Sequence, residues 1–355
     1  MIGSQRRSKG LDSRISFTGD ASPGRGSARG REMQVTRRLF LATGWLAAFC
    51  VLPPPGPAQL TALNFVYTGV GGQSDLIRYT YAQDYFKKYG LDATMIYVVS
   101  GVTTTQAVAS GSAPIANANA TDALRAIAAG APLKIIMVGV DQFQHVFVAR
   151  PGIKNPKDMK GKRIAVSRYG AFSDIQTRFL VRQWGMDPDR DVQIMQIGNS
   201  AARAAALASG GVDGAVVTPG FVPTAKRAGL GVIFDLSTIS IKFANAIVIA
   251  NTSLIKERPG VVKASMAAVI EGIRSWRASP GTAKAFLKKS YNLSDPEIDD
   301  VYSEVSRLVR AEPTPDLMGI QNAWDSIPEL KSRGPVDLRG FVDSRFVEEV
   351  LREFK

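Results

Sequence analysis

Apolar and polar positions alternate along the chain between short apolar runs and longer stretches with helical spacing. Runs such as "ALNFVYT" (62–68), "LKIIMVGV" (133–140) and "KRIAVSR" (162–168) predict β-strands. The stretches 74–89 and 173–184 have helical spacing, and each ends just before a glycine, which is typical of a helix C-terminus. Strands that alternate with helices form right-handed βαβ units, so the sequence predicts an α/β protein whose sheets are mostly parallel and flanked by helices.

The second half of this pattern repeats the first at an offset of 99 residues. Ser-Asp stands at 74–75 and again at 173–174, and Ala-Gly stands at 129–130 and again at 228–229. The segments "QAVASG" and "AALASG" also end 99 residues apart. Any two α/β segments look alike at low resolution, but three matched pairs in one register favour a duplication. We therefore predict two lobes built on one plan.

Two apolar strands lie at the boundaries between the halves. "HVFVAR" (145–150) and "FANAIVIA" (243–250) are predicted to carry the chain from one lobe to the other and to act as the hinge. The predicted organisation along the chain is a leader at 1–58, a first lobe at 59–147, a second lobe at 148–245, and a return to the first lobe with C-terminal helices at 246–355.

The leader has the pattern of an export signal. Paired arginines at 37–38 precede an apolar run at 39–52, and small residues follow at a site suited to a signal peptidase. The run resembles a twin-arginine signal and is too short to span a membrane, so we expect a periplasmic protein. Met33 lies just before the signal, and 1–32 is interpreted as a misassigned start. A retained amphipathic anchor is the alternative.

Composition narrows the chemistry of the exported part. The net charge is +13, but no basic run with interleaved aromatic residues occurs, so binding to nucleic acid is not expected. The only cysteine, Cys50, lies in the signal, where the bulky Phe49 favours a non-lipidated signal over a lipid anchor. After cleavage no thiol chemistry or disulfide is left. The only histidine, His145, lies in an apolar run and is interpreted as structural, and neither a metal nor a cofactor is expected.

Polar residues stand at the predicted helix entrances, where a parallel sheet gathers its ligands. Ser74 and Ser173 are predicted N-caps, so two positive helix N-termini would point into one cleft between the lobes. The same offset pairs Asn119 with Thr218, and 100–101 with 199–200. Each of these residues also has an ordinary structural role, so the prediction of a binding site rests on their occurrence together.

Neighbouring side chains bear on the nature of the ligand. Phe172 directly precedes Ser173, where its own lobe can bury it only poorly, and it is predicted to stack on or cover the ligand. Arg168 is the candidate counter-charge for an anion, and a solvent-facing loop charge is its alternative role. Asp75 and Asp174 are expected to turn away from the cleft, toward solvent or a neighbouring loop. The predicted ligand is an organic anion such as a sulfonate or carboxylate.

Whole segments support a family resemblance that covers about residues 59–355. Segments such as "DLIRYTYAQDYFKKYGLD", "GSAPIANANATDALRAIAAGAPLKIIMVG" and "ALASGGVDGAVVTP" resemble the extracytoplasmic solute-binding proteins of ABC importers, in the sulfonate/nitrate/taurine-type and thiamine-pyrimidine-type group. The resemblance implies a two-lobed periplasmic-binding-protein fold that closes on a small molecule and presents it to the membrane subunits of an ABC permease. We expect a monomer without enzymatic activity. By position, the residues that would line the cleft are Gly72, Ser74, Ser100, Asn119, Ser173 and Thr218.

Two other classes of protein share parts of this pattern. A pyrimidine or thiamine-precursor binding or synthesis protein of the same superfamily stays open as the alternative, although the yeast-type synthases use a cysteine-rich motif that this chain lacks. Those synthases also use a histidine as substrate, and the sole histidine here lies in a predicted crossing strand. The effector domain of a transcription regulator would need a helix-turn-helix before the first strand, where the export signal stands instead.

Overall fold

The computed structural model describes residues 59–69, 71–98 and 100–354. The leader, with its predicted export signal and Cys50, lies outside this part of the chain. None of the described helices is long and apolar enough to cross a membrane.

Two five-stranded sheets with equivalent strand orders form the framework. The first contains β1 (Thr61–Thr68), β2 (Leu91–Val98), β3 (Ile115–Asn119), β4 (Leu133–Val140) and β10 (Ala246–Asn251), in the order β2-β1-β3-β10-β4. The second contains β5 (Val146–Ala149), β6 (Arg163–Val166), β7 (Gln193–Gln196), β8 (Gly214–Val217) and β9 (Gly231–Asp235), in the order β7-β6-β8-β5-β9. The two orders correspond strand for strand, as the internal repeat predicts.

Helices cover both sheets, and α8 to α14 form the C-terminal region. They are α1 (Gln73–Ala82), α2 (Tyr85–Lys88), α3 (Gly101–Ala109), α4 (Ala120–Ala128), α5 (Phe172–Gln183), α6 (Ser200–Ala208), α7 (Val222–Arg227), α8 (Thr252–Glu257), α9 (Pro259–Ala278), α10 (Pro280–Ser290), α11 (Asp295–Leu308), α12 (Leu317–Asp325), α13 (Pro328–Lys331) and α14 (Arg345–Glu353). Short 3₁₀ helices span Pro156–Met159, Pro219–Phe221, Leu236–Thr238 and Leu338–Phe341.

The helix predicted at 74–89 is broken in two. Asp84 adopts a left-handed conformation with φ 56°, which ends α1 and starts α2 in a new direction. The break lets Phe86 bury itself against Phe65, with the ring centroids 5.6 Å apart. The helical spacing continues on both sides of the break, so the prediction of one continuous helix was wrong for a reason that lies in tertiary packing.

The two crossing strands are β5 and β10. Strand β5 follows β4 of the first sheet and lies in the second sheet, and β10 follows β9 of the second sheet and lies in the first. The segment between β4 and β5 runs beside the segment between β9 and β10: the Leu236 N–H donates to the His145 carbonyl (3.0 Å), and the Phe243 N–H donates to the Asp141 carbonyl (2.7 Å). Strands β5 and β10 are each antiparallel to both of their neighbours, so the two sheets are mixed, although the other strand pairs are parallel. The two-lobed α/β fold with two crossing strands is confirmed, while the exact limits of the lobes stay a prediction.

The C-terminal helices complete the core on the first sheet. Helix α9 packs between α1 and α14, and the buried Trp276 meets Tyr79 edge to face, with ring centroids 5.2 Å apart. Residues of α11 also contact the second lobe, because Arg227 on α7 forms an ion pair with Glu297 and Arg307 donates a hydrogen bond to Ser237 (2.9 Å). The tail therefore spans the boundary between the lobes.

Candidate functional site

A cleft of about 290 Å³ lies between the two sheets, and the first residues of five helices line it. Helices α1, α3 and α4 approach from the first sheet, and α5 and α6 approach from the second. Their N-termini present free backbone N–H groups and partial positive charge. The structure brings seven of the eight sequence-predicted site residues to this cleft: Ser74, Ser100, Asn119, Arg168, Phe172, Ser173 and Thr218.

Gly72 is the predicted site residue that does not line the cleft. It is the N-cap of α1, with φ 57°, and lies between Gly71 and Gln73, which both line the cleft. A Cβ built at this position would lie 2.5 Å from Gln144 Oε1. Glycine is therefore needed here both for the backbone conformation and for the approach of Gln144, whose side chain does line the cleft.

Ser74 and Ser173 are not N-caps, so that prediction was wrong. Each is the second residue of its helix, and Gly72 and Ala171 occupy the N-cap positions without a side-chain capping bond. Ser74 Oγ donates to the Thr68 carbonyl (2.8 Å), and Ser173 Oγ accepts from the backbone N–H of residue 167 (2.8 Å). The glycine-containing turns start the helices earlier than the capping pattern suggests, and both serines tie the helix start to the end of the preceding strand.

Asp75 and Asp174 stabilise the same two turns. Asp174 accepts a hydrogen bond from the Gly170 N–H (2.8 Å) and pairs with Arg178 (3.0 Å). Asp75 pairs with Arg78 (3.1 Å), and burial raises its pKa. As expected, neither carboxylate lines the cleft, but both are buried instead of facing solvent. In each half the Ser-Asp pair therefore stabilises the turn between a strand and the helix that follows, so the motif has a structural role in both lobes.

Side-chain caps occur at the starts of α3 and α6, which are equivalent helices of the two halves. Ser100 accepts from the Thr103 N–H (3.4 Å), and Asn199 accepts from the Ala202 N–H (2.9 Å), at equivalent positions of α3 and α6. Asn119 precedes α4, and Thr218 precedes the 3₁₀ helix after β8, in both cases without a side-chain cap bond. These residues are brought together by the two sheets, as the repeat predicts.

Side-chain amides form a second polar group in the wall. Gln73 Nε2 donates to Asn117 Oδ1 (2.6 Å), and Asn117 Nδ2 donates to Ser74 Oγ (2.9 Å). The buried atoms Gln73 Oε1, Gln144 Oε1 and Thr218 Oγ1 have no hydrogen-bond partner within the described chain. Leaving a buried polar atom without a hydrogen-bond partner costs about 1–3 kcal/mol of stability, so these atoms favour a polar solute in the cleft.

Arg168 crosses the cleft from the second lobe to the first. Its Nη2 lies 2.7 Å from Asp122 Oδ1, and Asp122 is almost fully buried at the first turn of α4. Burial raises the pKa of Asp122, while the positive charges of Arg168 and Arg125 act in the opposite direction. Arg168 is therefore not a free counter-charge, because it already pairs with an acid of the opposite wall, although its side chain stays partly exposed to solvent.

Arg203 is a candidate binding residue that the sequence patterns did not predict. It lies on α6 in the cleft wall and is 3% exposed. Its guanidinium donates to the carbonyls of Val216 (2.8 Å) and Gly198 (2.5 Å) and to Ser200 Oγ (2.9 Å). These acceptors are neutral, and no carboxylate of the described residues forms an ion pair with Arg203. Burial lowers its pKa to about 10, so Arg203 still carries its charge at neutral pH.

Phe172 lines the cleft but is buried, contrary to the expectation that its lobe could not bury it. It is 4% exposed and packs against Phe243 (5.4 Å), Phe143 (6.0 Å) and His145 (5.4 Å between ring centroids). The partners come from the two crossing segments, which fold back over the start of α5. Phe172 therefore belongs to the base of the cleft instead of forming a cover over it.

Other cleft residues were also not predicted from the sequence. Gln144 and His145 lie on a crossing segment and have no partner at the 99-residue offset that would mark them. Arg203 stands in an alanine-rich helix, where an isolated arginine usually faces solvent. The signal that could have found it is its position on the face of α6 that also carries Leu207, which is buried. Among the described residues, no group of three or more His, Cys, Asp or Glu could hold a metal ion.

The two sheets, the crossing strands and the cleft between them define the periplasmic-binding-protein fold. A family model described as "NMT1/THI5 like" matches residues 76–283, more than half of the chain. The chain belongs to this family.

Individual relatives and solved structures agree with this assignment. A Brucella abortus protein named as a binding protein is 28% identical over 247 residues, which make up 68% of this chain and 75% of the relative. The structure of the periplasmic aliphatic sulphonate binding protein SsuA from Escherichia coli has a TM-score of 0.64 at 21% identity and covers 79% of this chain and 97% of its own. The desulfurization enzyme DszB has a TM-score of 0.63 at 15% identity, with coverage of 83% and 100%. At these identities the two structures show a shared fold alone.

Proposed function

We propose that this chain is the solute-binding subunit of an ABC-type importer and holds a small organic anion, such as a sulfonate or carboxylate, between its two lobes. The observation that carries the proposal is Arg203, a buried cation in the cleft wall without an acidic partner among the described residues. A buried charge is costly unless an opposite charge and hydrogen bonds compensate it. Arg203 has neutral acceptors only, and a bound anion would supply the missing compensation.

The rest of the cleft supports an anion of modest size. Five helix N-termini surround it, and each favours negative charge. Asp122 is the acidic residue in the wall, and its charge is balanced by Arg168 at 2.7 Å. A volume of about 290 Å³ lies at the lower end of the range for small-molecule pockets, which suits a compact solute.

The binding residues of this proposal revise the sequence-based set. Arg203 holds the charge, and Ser100, Asn119 and Thr218 contribute polar groups at the helix entrances. Ser74 and Ser173 fasten the turns that aim α1 and α5 at the solute, and Phe172 forms the apolar base. Arg168 acts by joining the lobes around the ligand, through its pair with Asp122.

The partners and location follow from the importer function. The Brucella relative is named as a binding protein, and SsuA is named as a periplasmic aliphatic sulphonate binding protein. By analogy, this chain would act as a monomer in the periplasm and present its solute to the membrane subunits of an ABC permease. It would bind the solute without converting it, although the fold it shares with DszB is also used by an enzyme.

A thermal-shift and calorimetry screen tests the proposal. The panel holds ethanesulfonate, taurine, nitrate and acetate, with choline as a cationic control, because a ligand that binds the native state alone raises the melting temperature. We expect one of the anions to bind, and Arg203→Met to weaken its binding by about 10-fold to 100-fold, as for the loss of a charged hydrogen-bond donor. The matched control is Arg190→Met, because Arg190 is an exposed arginine of the same lobe. Equal affinity in Arg203→Met and the wild-type protein would overturn the anion assignment.

A neutral heterocycle of the pyrimidine class is the second candidate. The amides of Gln73, Asn117 and Gln144 favour it, because together they offer both donors and acceptors to a planar ring. An aminopyrimidine in the same screen separates the two candidates. Tight binding that survives Arg203→Met would support the heterocycle.

A further inference from the structure

His145 stands where both crossing segments meet the cleft. It directly precedes β5, and its carbonyl accepts the Leu236 N–H of the other crossing segment (3.0 Å). Its ring rests edge to face on Phe172, with the centroids 5.4 Å apart, and the residue lines the cleft. The backbone of His145 therefore belongs to the hinge while its side chain belongs to the binding site.

The imidazole ring is held in place without a hydrogen bond to its buried nitrogen. The residue is 8% exposed, and Nδ1 has no partner within the described chain. Three other buried atoms of cleft residues share this condition: Gln73 Oε1, Gln144 Oε1 and Thr218 Oγ1. Buried polar groups in native proteins are normally satisfied, so these four atoms are available to hydrogen-bond a solute that enters the cleft.

The ring is also uncharged at neutral pH. Burial, with the positive charge of Arg203 as the second cause, lowers the pKa of His145 to about 3. A neutral imidazole has one N–H donor and one acceptor nitrogen. Arg203 would therefore supply positive charge to the solute, and His145 would supply a directional hydrogen-bond donor without adding a second positive charge.

We infer that His145 is a specificity-determining residue, whose neutral imidazole donates a hydrogen bond to an oxygen atom of the solute bound at Arg203. This inference rests on the proposed function, because it requires a solute in the same cleft. It assigns a binding role to a residue that the sequence indicated to be structural. It also links recognition to the hinge, because the contacting ring and the hinge backbone belong to one residue.

The chain contains a single histidine, which makes a direct test possible. The full chain is labelled with ¹⁵N-histidine, its affinity tag is removed, and the ring nitrogens are followed by NMR during titration with each of ethanesulfonate, taurine, nitrate and acetate. With an anion that binds, we expect the ring N–H signal to shift and its exchange with water to slow, while the ring stays neutral. A ring spectrum that is unchanged at saturation would overturn the inference and leave the proposed function standing.

Two variants separate recognition from packing. His145→Phe keeps an aromatic ring against Phe172 and removes both nitrogens, and we expect about 10-fold weaker anion binding. His145→Gln restores a donor, and we expect it to recover part of the affinity. If His145→Phe binds as tightly as the wild-type protein, the inference is wrong. If no anion binds even to the wild-type protein, the proposed function fails and the inference fails with it.

Discussion

Arg168 Nη2 lies 2.7 Å from Asp122 Oδ1 and joins the two lobes across the ligand cleft. The pair is asymmetric, because the Asp122 side chain is 4% exposed and that of Arg168 is 42% exposed. A half-exposed ion pair contributes modestly, up to about 1 kcal/mol, because water screens it. A contribution of that size still matters for an equilibrium between open and closed lobes, where it corresponds to about a fivefold change.

We therefore predict that Asp122→Asn shifts the ligand-free protein toward open lobes. The change removes the charge that attracts Arg168 and keeps the shape of the side chain. Small-angle scattering should give a larger radius of gyration for the variant without ligand. Asp84→Asn is the control, since Asp84 is exposed, pairs only with the neighbouring Lys87, and already has a left-handed backbone that asparagine tolerates. Identical profiles for Asp122→Asn and the wild-type protein would contradict the prediction.

Acid should destabilise the protein through His145. The folded pKa is about 3, against 6.5 for an ordinary histidine, so the unfolded chain binds the proton first as the pH falls. Stability is therefore lost between pH 6.5 and 3, and the loss attributable to this residue is about 2 kcal/mol at pH 5. Chemical denaturation of the wild-type protein and His145→Phe at pH 7 and pH 5 measures it. From pH 7 to pH 5, the free energy of unfolding should fall more for the wild-type protein than for His145→Phe. An equal fall in both proteins would count against the lowered pKa.

Tyr291→Phe should destabilise the fold by about 1–3 kcal/mol, because it removes a donor from a buried carboxylate. The Tyr291 hydroxyl donates to Asp75 at 2.7 and 2.8 Å, and Asp75 is fully buried. Without the hydroxyl, Asp75 keeps Arg78 as a partner but loses part of its compensation. The control is Tyr81→Phe, because Tyr81 is 43% exposed. Equal denaturation midpoints for the two variants would show that the Tyr291 hydroxyl contributes little.

Glu304→Gln should stabilise the protein at alkaline pH. Glu304 on α11 lines a second cavity of about 750 Å³ together with Asp235 and residues of α7. Burial, and then the charge of Asp235, raise the pKa of Glu304 to about 8. A carboxyl whose pKa is raised by folding contributes stability below about pH 4.5 and loses it as the pH rises through 8. The variant mimics the protonated form, so at pH 9 its free energy of unfolding should exceed that of the wild-type protein by up to about 5 kcal/mol, and at pH 4 the two should match.

The same measurement on Glu312→Gln provides a baseline, since Glu312 is exposed. An equal gain for both variants at pH 9 would indicate a general effect of net charge. A gain for Glu304→Gln that is independent of pH would contradict the raised pKa.

Local patterns were enough to predict the strands, and the recurrence of the pattern at an offset of 99 residues was enough to predict two equivalent lobes with a cleft between them. Strand β4 has the predicted limits, and the paired helix entrances at 100 and 199 are capped alike. The identity of the N-caps was not predictable in this way. At both Ser-Asp sites, the glycine turn sets where the helix begins, and the serine bonds to the end of the preceding strand instead.

The burial of the Arg203 charge in the cleft wall depends on backbone acceptors outside its own helix. Arg203 is buried because β8 and the loop before α6 supply carbonyls for its guanidinium, and nothing in the helix sequence specifies those contacts. His145 has the apolar neighbours of a core histidine, and only the meeting of two crossing segments places its ring in the cleft. Both residues are exceptions to the local pattern, and both are candidate ligand contacts.

The insertion of β10 makes the first sheet depend on a strand from late in the chain. Strand β4 joins that sheet through β10, which is made of residues 246–251, whereas the second sheet has all five strands by residue 235. If the chain folds as it is synthesised, the β3 edge of the first sheet stays open until the whole second lobe and β10 have been made. The half that is synthesised first is the last to be completed, and a chain that stops before residue 246 would leave the β3 edge exposed to other chains.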